Sequence, residues 1–431
     1  MRVLRQNKDR ISYPQARTGA ITLLVTIVLV LIVVARPAAH AQTFSILYNF
    51  DGGNNGYRPG AGITVDRFGN FYGTTQYGGD LSCDAGGIPG CGVLYKFNIT
   101  HLGPVLTPLY DFDDNNFPKW PGVPAVGPDD RLYGVISLGG PDEIGTVFSA
   151  NPLRTTQVPL SSGLYEVLYQ FTGGSDGAYP TRLQPLLFDS AGNMYGAATY
   201  GGSEDLGVVY EMTGSGTNWT ESVLYSFLGG KNGARPRGIT FDDEGNIYGV
   251  AAGGGSLSGG CGNRGCGTVF ELTPSQSGWT MTVLHSFQAG VDGGWPGPLI
   301  RDQAGNLYGL NTQWGPNNSG GTVWELSPSG GNWTASVLYA FPSAIVWDYG
   351  PYAPTMDAAG NLYGITDSNG YGLLFKLTPN GGSWTYTDLY DFGSNACTPQ
   401  GAVLLDAASN IYGVTESCGE YGGGVIWEFT P

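Results

Sequence analysis

Hydrophobic and polar positions alternate along this chain as short apolar runs separated by polar, glycine-rich turns. The clearest unit is the octapeptide from Asp302 to Gly309. An apolar run precedes its Asp, a Gly-Asn pair follows the Asp, and an aromatic-rich run begins after that pair and includes Tyr-Gly. Gly and Asn tolerate the positive φ that tight turns between twisted strands require, so the octapeptide predicts a β-hairpin. The octapeptide occurs seven times, in copies that end at Gly73, Gly134, Gly196, Gly249, Gly309, Gly364 and Gly413. Five copies keep the motif clearly, and the two that end at Gly134 and Gly413 are degenerate.

Four strand-like blocks surround each octapeptide in a fixed order. They are a short apolar run after a proline, the aromatic run after Gly-Asn, a Gly-x-Val-Phe-x-Leu segment and a Val-Leu-Tyr-x-Phe segment, each the length of one strand. The second-block tyrosines recur every 49 to 62 residues, at positions 72, 133, 195, 248, 308, 363 and 412. Four antiparallel strands in that length make one propeller blade, so the pattern predicts an all-β, seven-bladed β-propeller.

The two ends of the repeat region each hold part of one blade. Phe44 to Phe50 is a fourth block without the first three, and Gly424 to Phe429 is a third block without its fourth. We therefore expect the N-terminal strand to complete the last blade, which closes the ring and removes an open sheet edge.

The first 41 residues have a different character. Five basic residues precede an unbroken apolar run from Ala20 to Ala35, and a small-x-small site, Ala39 to Ala41, follows. This pattern predicts a signal peptide at 1–41 and a mature propeller at 42–431, secreted or held in the periplasm. An uncleaved anchor helix is the alternative, although the apolar run is short of the roughly 20 residues that span a bilayer.

The charge balance narrows the choice of partners. The chain carries 19 basic and 35 acidic residues, a net charge of −16. Without the leader, 13 basic and 34 acidic residues remain, a net charge of −21. Nucleic acid and anionic membrane surfaces require clustered Lys and Arg, so neither is expected as a partner. The acidic residues are interpreted as favouring solubility; the alternative interpretation is that they bind cations.

Six cysteines in an exported chain predict disulfides. Their loop positions suggest the pairs Cys83–Cys91, Cys261–Cys266 and Cys397–Cys418. No Cys-x-x-Cys pair is present and the mature chain has only His101 and His285, so we expect neither a zinc site nor any other metal or cofactor.

Two motifs, the Phe-x-Gly-Gly before the first block and the Gly-Asn-x-Tyr-Gly within the repeat, resemble the tandem repeats of bacterial GloVer proteins. The name of this family includes the phrase "choice of anchor". The resemblance covers residues 44 to 431 and implies an exported, propeller-like protein without an assigned activity. The anchored members carry a C-terminal sorting tail, whereas this sequence stops at Pro431. Surface attachment is therefore not expected.

Most recurring residues are assigned to the scaffold. We expect the second-block tyrosines and the fourth-block phenylalanines to pack in the core. His285 replaces the fourth-block Tyr of the other copies, so it is interpreted as a packed aromatic rather than a catalytic base. The octapeptide aspartates precede a tight turn, where Asp side chains commonly bond backbone amides.

The variable residues fall on the loops at the opposite face. Residues directly before a proline precede the first strand, and a second set follows the second strand. Exposed aromatic side chains there suit stacking on sugars or on apolar side chains of a partner. The alternative is a structural role, in which they cover the ends of the blades and fill gaps between them. The candidate ligand-binding residues are Tyr77, Trp120, Tyr179, Tyr200, Trp295 and Trp314.

Acidic residues on the same face raise a rival function, because two suitably spaced carboxylates can cleave a glycosidic bond. The candidates are Asp176, Asp292, Asp348, Glu204, Asp205, Glu416 and Glu420. No hydrolase, metalloprotease, P-loop or calcium-loop motif appears, so no catalytic residue is assigned. The sequence favours a monomeric binding scaffold for a glycan or an extracellular protein. A carbohydrate-active hydrolase or lyase and a structural surface protein remain open.

Overall fold

The structure is a computed structural model that describes residues 42–83, 87–112, 119–153, 165–257, 260–342, 352–366 and 370–431. The expected signal peptide, residues 1–41, lies outside the described part of the chain. The segment Thr43–Thr430 forms one compact unit.

The described residues of this unit form thirty short strands. In chain order they are β1 Thr43–Asn49, β2 Tyr57–Val65, β3 Phe71–Tyr77, β4 Val93–Thr100, β5 Gly103–Asp111, β6 Lys119–Pro121, β7 Ala125–Val126, β8 Leu132–Leu138, β9 Thr146–Ala150, β10 Tyr165–Gln170, β11 Ala178–Pro180, β12 Leu187–Phe188, β13 Met194–Tyr200, β14 Val208–Ser215, β15 Asn218–Ser226, β16 Ala234–Phe241, β17 Ile247–Gly253, β18 Thr268–Ser275, β19 Gly278–Ser286, β20 Gly294–Arg301, β21 Leu307–Gln313, β22 Thr322–Ser329, β23 Asn332–Ala340, β24 Thr355–Met356, β25 Leu362–Thr366, β26 Leu373–Asn380, β27 Ser383–Asp391, β28 Cys397–Leu405, β29 Ile411–Ser417 and β30 Val425–Thr430.

These strands form seven antiparallel sheets, so the predicted seven-bladed propeller is confirmed. Blade 1 holds β2 to β5, blade 2 β6 to β10, blade 3 β11 to β15, blade 4 β16 to β19, blade 5 β20 to β23, blade 6 β24 to β27, and blade 7 β28 to β30 with β1. In blades 2 and 3 the first strand is split into two short pieces. First strands of neighbouring blades contact each other, as β16 does with β20, and therefore lie innermost.

The last blade closes as expected. Strand β1 pairs antiparallel with β30, with Phe44 opposite Phe429 and Asn49 opposite Val425. The first strand of blade 1, β2, contacts both β28 and β29 of this completed blade. The sheet order therefore joins the two ends of the described chain in one blade and closes the ring.

The octapeptide turn is held by its aspartate, as predicted. In blade 4, Asp242 Oδ1 accepts hydrogen bonds from the backbone N–H groups of Glu244 and Asn246, both at 2.9 Å. Its Oδ2 accepts from Asn246 Nδ2 at 2.8 Å, and the Tyr248 hydroxyl stands 3.2 Å from the same oxygen. Burial opposes ionisation of Asp242, but these hydrogen bonds outweigh it and lower the pKa of the carboxyl.

The Tyr-Gly pair explains how the blade core is filled. Tyr308 is 4% exposed, and its hydroxyl donates to Glu325 Oε1 at 2.9 Å on the neighbouring strand. A Cβ on the next residue, Gly309, would lie 2.4 Å from the Trp324 ring. The glycine therefore leaves room for a large aromatic from the third strand to lie across the sheet.

The fourth-block phenylalanines are also core residues, as predicted, with at most 1% exposure. They are Phe50, Phe112, Phe171, Phe227, Phe287, Phe341 and Phe392. The described chain adds three short 3-10 helices, at Gly230–Asn232, Gly262–Arg264 and Pro316–Asn318. Within the described ranges, none of the helices is long and apolar enough to cross a membrane.

Candidate functional site

Two classes of loop share one face of the propeller. Loops from fourth to first strands are hydrogen-bonded through their backbones to loops from second to third strands, with Gly79 N–H donating to Gly53 O at 3.0 Å and Gly202 N–H to Gly174 O at 2.9 Å. This face, called the rim below, lies at the other end of the strands from the octapeptide turns. The sequence-based assignment of the variable loops to one face is confirmed.

The first rim position, directly before a proline, has an unusual backbone. Six residues other than glycine adopt a left-handed conformation there, with φ between 54° and 61°: Arg58, Trp120, Tyr179, Arg235, Trp295 and Thr398. Such conformations cost about 1–3 kcal/mol each for residues other than glycine and persist only where the surroundings enforce them.

Contacts between blades enforce this conformation. The N–H of Tyr179 donates to Ile144 O at 2.7 Å, and the N–H of Arg235 donates to Leu206 O at 2.7 Å. The following proline packs on a glycine of the preceding blade, since a Cβ on Gly207 would lie 2.4 Å from Pro236 Cδ. The strained position is thus part of the seam between blades, and in six blades it points one variable side chain at the rim.

The second rim position, at the end of the second strand, pairs with the first. Tyr179 and Tyr200 stand edge to face with ring centroids 5.6 Å apart, and Trp295 and Trp314 do so at 4.6 Å. In blade 1 the Arg58 guanidinium lies 5.8 Å from the centroid of the Tyr77 ring. All six candidate aromatics are half-buried, because each has one side against a neighbour.

Three of the six candidates meet in one cavity of about 590 Å³, which spans blades 2, 3 and 4. They are Trp120, Tyr179 and Tyr200; the other three candidates do not line this cavity. The remaining lining residues are Ser137, Leu138, Thr181, Arg182, Leu183, Thr199 and Arg237. The volume lies within the range of about 300–1,000 Å³ that holds small ligands.

An insertion in blade 3 supplies part of this cavity. Six residues separate Pro180 from Leu187 in the pairing with β13, whereas three separate Pro236 from Thr240 in blade 4. The three extra residues are Arg182, Leu183 and Gln184.

Each inserted residue reaches another blade. Arg182 Nη1 donates to Gly60 O of blade 1 at 2.8 Å. The Gln184 side chain donates to Ile239 O and accepts from Ile239 N–H of blade 4, at 2.8 and 3.0 Å. Leu183 belongs to a buried cluster formed mainly by blades 6 and 7. The insertion therefore crosses the centre of the ring and forms a wall of the cavity.

Two arginines of the cavity were not among the sequence candidates. The Arg182 guanidinium lies 5.7 Å from the centroid of the Trp120 ring. Burial, with a smaller effect from the neighbouring charge of Arg235, lowers the pKa of Arg237 to about 10, which keeps it charged at neutral pH. A signal for the insertion exists in the sequence, since Pro180 stands nine positions before Asp189 while Pro236 stands six before Asp242.

The rim carboxylates mostly hold loops. Asp176 Oδ1 accepts from the Thr172 hydroxyl at 2.7 Å, and its Oδ2 accepts from Thr172 N–H and the Tyr169 hydroxyl, both at 2.8 Å. Asp205 Oδ1 accepts from Gly201 N–H at 2.8 Å, and Glu416 Oε2 accepts from Gln400 Nε2 at 3.2 Å. The candidate Asp348 lies outside the described residues.

His285 has the same structural role as a tyrosine in another blade. Its Nε2 lies 2.6 Å from Asp292 Oδ2, while Asp292 Oδ1 accepts from Gln288 N–H at 2.7 Å. Tyr169 on the outer strand of blade 2 and Asp176 in the loop that follows make the matching contact. The imidazole also stands edge to face on Phe287 with centroids 5.1 Å apart. His285 thus takes the place of a packed aromatic, as the sequence indicated.

A second, smaller cavity of about 400 Å³ lies between a rim loop and the outer strand of blade 3. Asp176 and Glu221 both line it. Burial, followed by the nearby charge of Asp176, raises the pKa of Glu221 to about 7. The described residues contain no group of three or more His, Cys, Asp or Glu side chains placed to hold a metal.

The three expected disulfides are present. Cys83–Cys91, Cys261–Cys266 and Cys397–Cys418 have Cα separations of 5.7, 5.2 and 5.4 Å. The first two close loops between second and third strands, and the third joins the start of β28 to the loop directly after β29 at the rim of blade 7. All three stiffen the rim and leave the octapeptide turns unconstrained.

Comparison with known proteins identifies the repeat. A family model described as the Gloeobacter/Verrucomicrobia repeat matches residues 33–184 and 157–370. A search of curated proteins finds no match.

Solved structures share the architecture at low sequence identity. A catalytically inactive virginiamycin B lyase from Staphylococcus aureus with quinupristin is 13% identical over 91% of this chain and all of that one, with a TM-score of 0.56. A streptogramin B lyase is 9% identical over 90% of this chain and 97% of its own, with a TM-score of 0.53. At these identities the likeness shows the propeller fold alone.

Proposed function

This chain belongs to the Gloeobacter/Verrucomicrobia repeat family, and from that premise we propose that it is an exported β-propeller that binds a glycan in the rim cavity of blades 2 to 4. The observation that carries the proposal is the meeting of Trp120, Tyr179 and Tyr200 around a cavity of about 590 Å³. Half-buried aromatic rings present flat apolar surface beside a polar edge, which suits the faces of sugar rings.

Export is supported by the three disulfides, because such bonds persist in oxidising compartments. The bonds also favour a binding role for the rim. A loop held in place before the ligand arrives loses less conformational entropy on binding, which raises affinity.

Binding is favoured over hydrolysis by the chemistry of the cavity wall. Glycoside hydrolysis ordinarily uses two carboxyl groups on opposite sides of the scissile bond. No Asp or Glu is among the described residues that line the cavity. The rim carboxylates Asp176 and Asp292 are engaged in loop hydrogen bonds outside it.

A glycan array probed with the purified protein tests the proposal. Trp120→Ala is expected to weaken binding of every hit by about tenfold or more, since buried aromatic anchors contribute most to such interfaces. Trp295→Ala is the matched control, because Trp295 occupies the same left-handed rim position in blade 5 and does not line the cavity.

Two results would overturn the proposal. A blank array with the folded protein would exclude glycan binding, and capture of an extracellular protein in a parallel pull-down would then favour a protein partner. Loss of binding in Trp295→Ala with full binding in Trp120→Ala would place the ligand elsewhere on the rim.

A further inference from the structure

The cavity of blades 2 to 4 is positively charged in a strongly acidic protein. The whole chain has a net charge of −16, yet the only charged side chains among the described lining residues are Arg182 and Arg237. A third guanidinium, that of Arg235, stacks 5.1 Å from the centroid of the Tyr200 ring at the cavity edge. This local excess of positive charge runs against the charge of the rest of the surface.

Arg237 differs from Arg182 in its partners. Arg182 donates to Gly60 O and so holds the wall of the cavity together. Arg237 Nη1 is shielded from solvent and donates a hydrogen bond to no described residue. A buried guanidinium nitrogen without an acceptor is unfavourable for folding, because the group has lost water and gained nothing in exchange.

The fold does not require an arginine at this position. The residue after the rim proline is uncharged in the other six blades, where it is Gly60, Gly122, Thr181, Gly297, Tyr352 and Gln400. The backbone of Arg237 accepts a hydrogen bond from the Thr181 hydroxyl at 3.1 Å, a contact that any residue could make. The guanidinium therefore has no evident role in the repeat itself.

We propose that Arg237 binds the acidic group of a sugar residue, a carboxylate or a sulfate ester, while Tyr179, Tyr200 and Trp120 contact the sugar ring. This inference rests on the proposed function and names its ligand class. A guanidinium presents several N–H donors in one plane, which matches the oxygens of either anion. With water largely excluded, the charge-assisted hydrogen bond is stronger than it would be at the surface.

Calorimetry with defined trisaccharides tests this assignment. The probes are tri-galacturonate, its fully methyl-esterified form, a sulfated galactose trisaccharide and the unsulfated parent. The protein is expected to bind at least one acidic probe about tenfold or more tightly than its uncharged counterpart. The preferred acidic probe separates carboxylate from sulfate recognition.

Variants connect that preference to the residue. Arg237→Gln is expected to lose the preference for the acidic probe while keeping affinity for the uncharged one, and Arg237→Lys is expected to restore part of it. Arg58→Gln is the matched control, because it removes one rim guanidinium outside this cavity and changes the net charge equally. It should leave the preference unchanged.

Thermal melting without ligand gives an independent readout. Because Arg237 Nη1 has no acceptor among the described residues, Arg237→Gln is expected to melt at the same temperature as the wild-type protein or higher. A clear fall in melting temperature would mean that the arginine serves the fold, and it would overturn the inference.

The outcomes separate this inference from the proposed function. Equal binding of acidic and uncharged probes, or binding of neutral glycans alone on the array, overturns the acidic-sugar assignment and leaves glycan binding standing. Absence of binding to every probe and every array glycan overturns both.

Discussion

The two ends of the propeller are built from the same strands but follow different rules. At the octapeptide end, four of the five clean copies repeat one turn in which an aspartate accepts from two backbone amides, an asparagine side chain and a tyrosine, as Asp242 does. In the fifth, Asp302 accepts from one backbone amide, the asparagine side chain and the tyrosine. At the rim, six residues other than glycine have left-handed backbones, and Arg237 Nη1 is buried without an acceptor among the described residues. Where the polar groups of the turn bond to one another the sequence repeats, and where the sequence varies the rim carries backbone strain and an arginine nitrogen without an acceptor among the described residues.

Ring closure supports both ends, so breaking it should have the largest effect. Deleting residues 42–50 removes β1 and leaves β30 as an open edge in blade 7. We expect loss of the cooperative thermal transition, monitored by circular dichroism, because blades 7 and 1 also pack through this sheet. An unchanged melting temperature and cooperativity would contradict closure by the N-terminal strand.

A smaller but clear loss of stability is expected from a substitution in the octapeptide. Gly309→Ala forces a Cβ to within 2.4 Å of the Trp324 ring, and such overpacking costs about 1–3 kcal/mol. Gly393→Ala is the control, since its added Cβ meets no atom within 4 Å. Chemical denaturation measures both, and similar stabilities for the two variants would mean that the glycine is not needed for core packing.

Asp242→Asn tests the electrostatic part of the turn. The folded pKa of this carboxyl lies below its unfolded value, so its stabilisation is present above the unfolded pKa and is lost as the pH falls through the folded pKa. The side chain is half-buried, so solvent still weakens the interaction, and we expect a loss of roughly 1 kcal/mol at pH 7 that narrows as the pH falls through the folded pKa. Melting temperatures from pH 3 to 7 should show the convergence; a gap independent of pH would contradict it.

Glu221→Gln tests a rim carboxyl whose folded pKa is raised rather than lowered, and it should have the smallest effect on stability. The folded pKa of Glu221 is raised to about 7, so the folded state favours the neutral acid and is destabilised as the pH rises through that value. The variant should therefore melt roughly 2 °C higher than wild type at pH 8 and little differently at pH 5. Glu204→Gln, at an exposed rim carboxylate, is the control for the loss of one negative charge.

Much of the scaffold could be predicted because it is local. The octapeptide contains its own turn, and the aspartate, asparagine and tyrosine that bond to one another lie within six residues. The fourth-block phenylalanines and the disulfide partners were also recognisable, because each recurs at, or flanks, an equivalent loop or strand in the repeat. Such short-range patterns determine the local structure, because the interacting residues are close in sequence.

The candidate site could be predicted only in part. Proline and strand position indicate which residues lie on the rim, including Trp120, Tyr179 and Tyr200. The pattern does not show that these three share a cavity, or that Arg182 and Arg237 join them. These lining residues come from blades 2, 3 and 4, whose relative placement depends on the closed ring.

The chain alone therefore specifies the blades, their number, the turns and the closing strand, because each follows from contacts between residues close in sequence or from the count of repeats. Packing of the blades decides the rest. Arg182 meets Gly60 across 122 positions of sequence, and a three-residue insertion in one blade becomes the wall of a cavity formed by three. Long-range contacts of this kind depend on where the ring brings each blade, which no local pattern encodes.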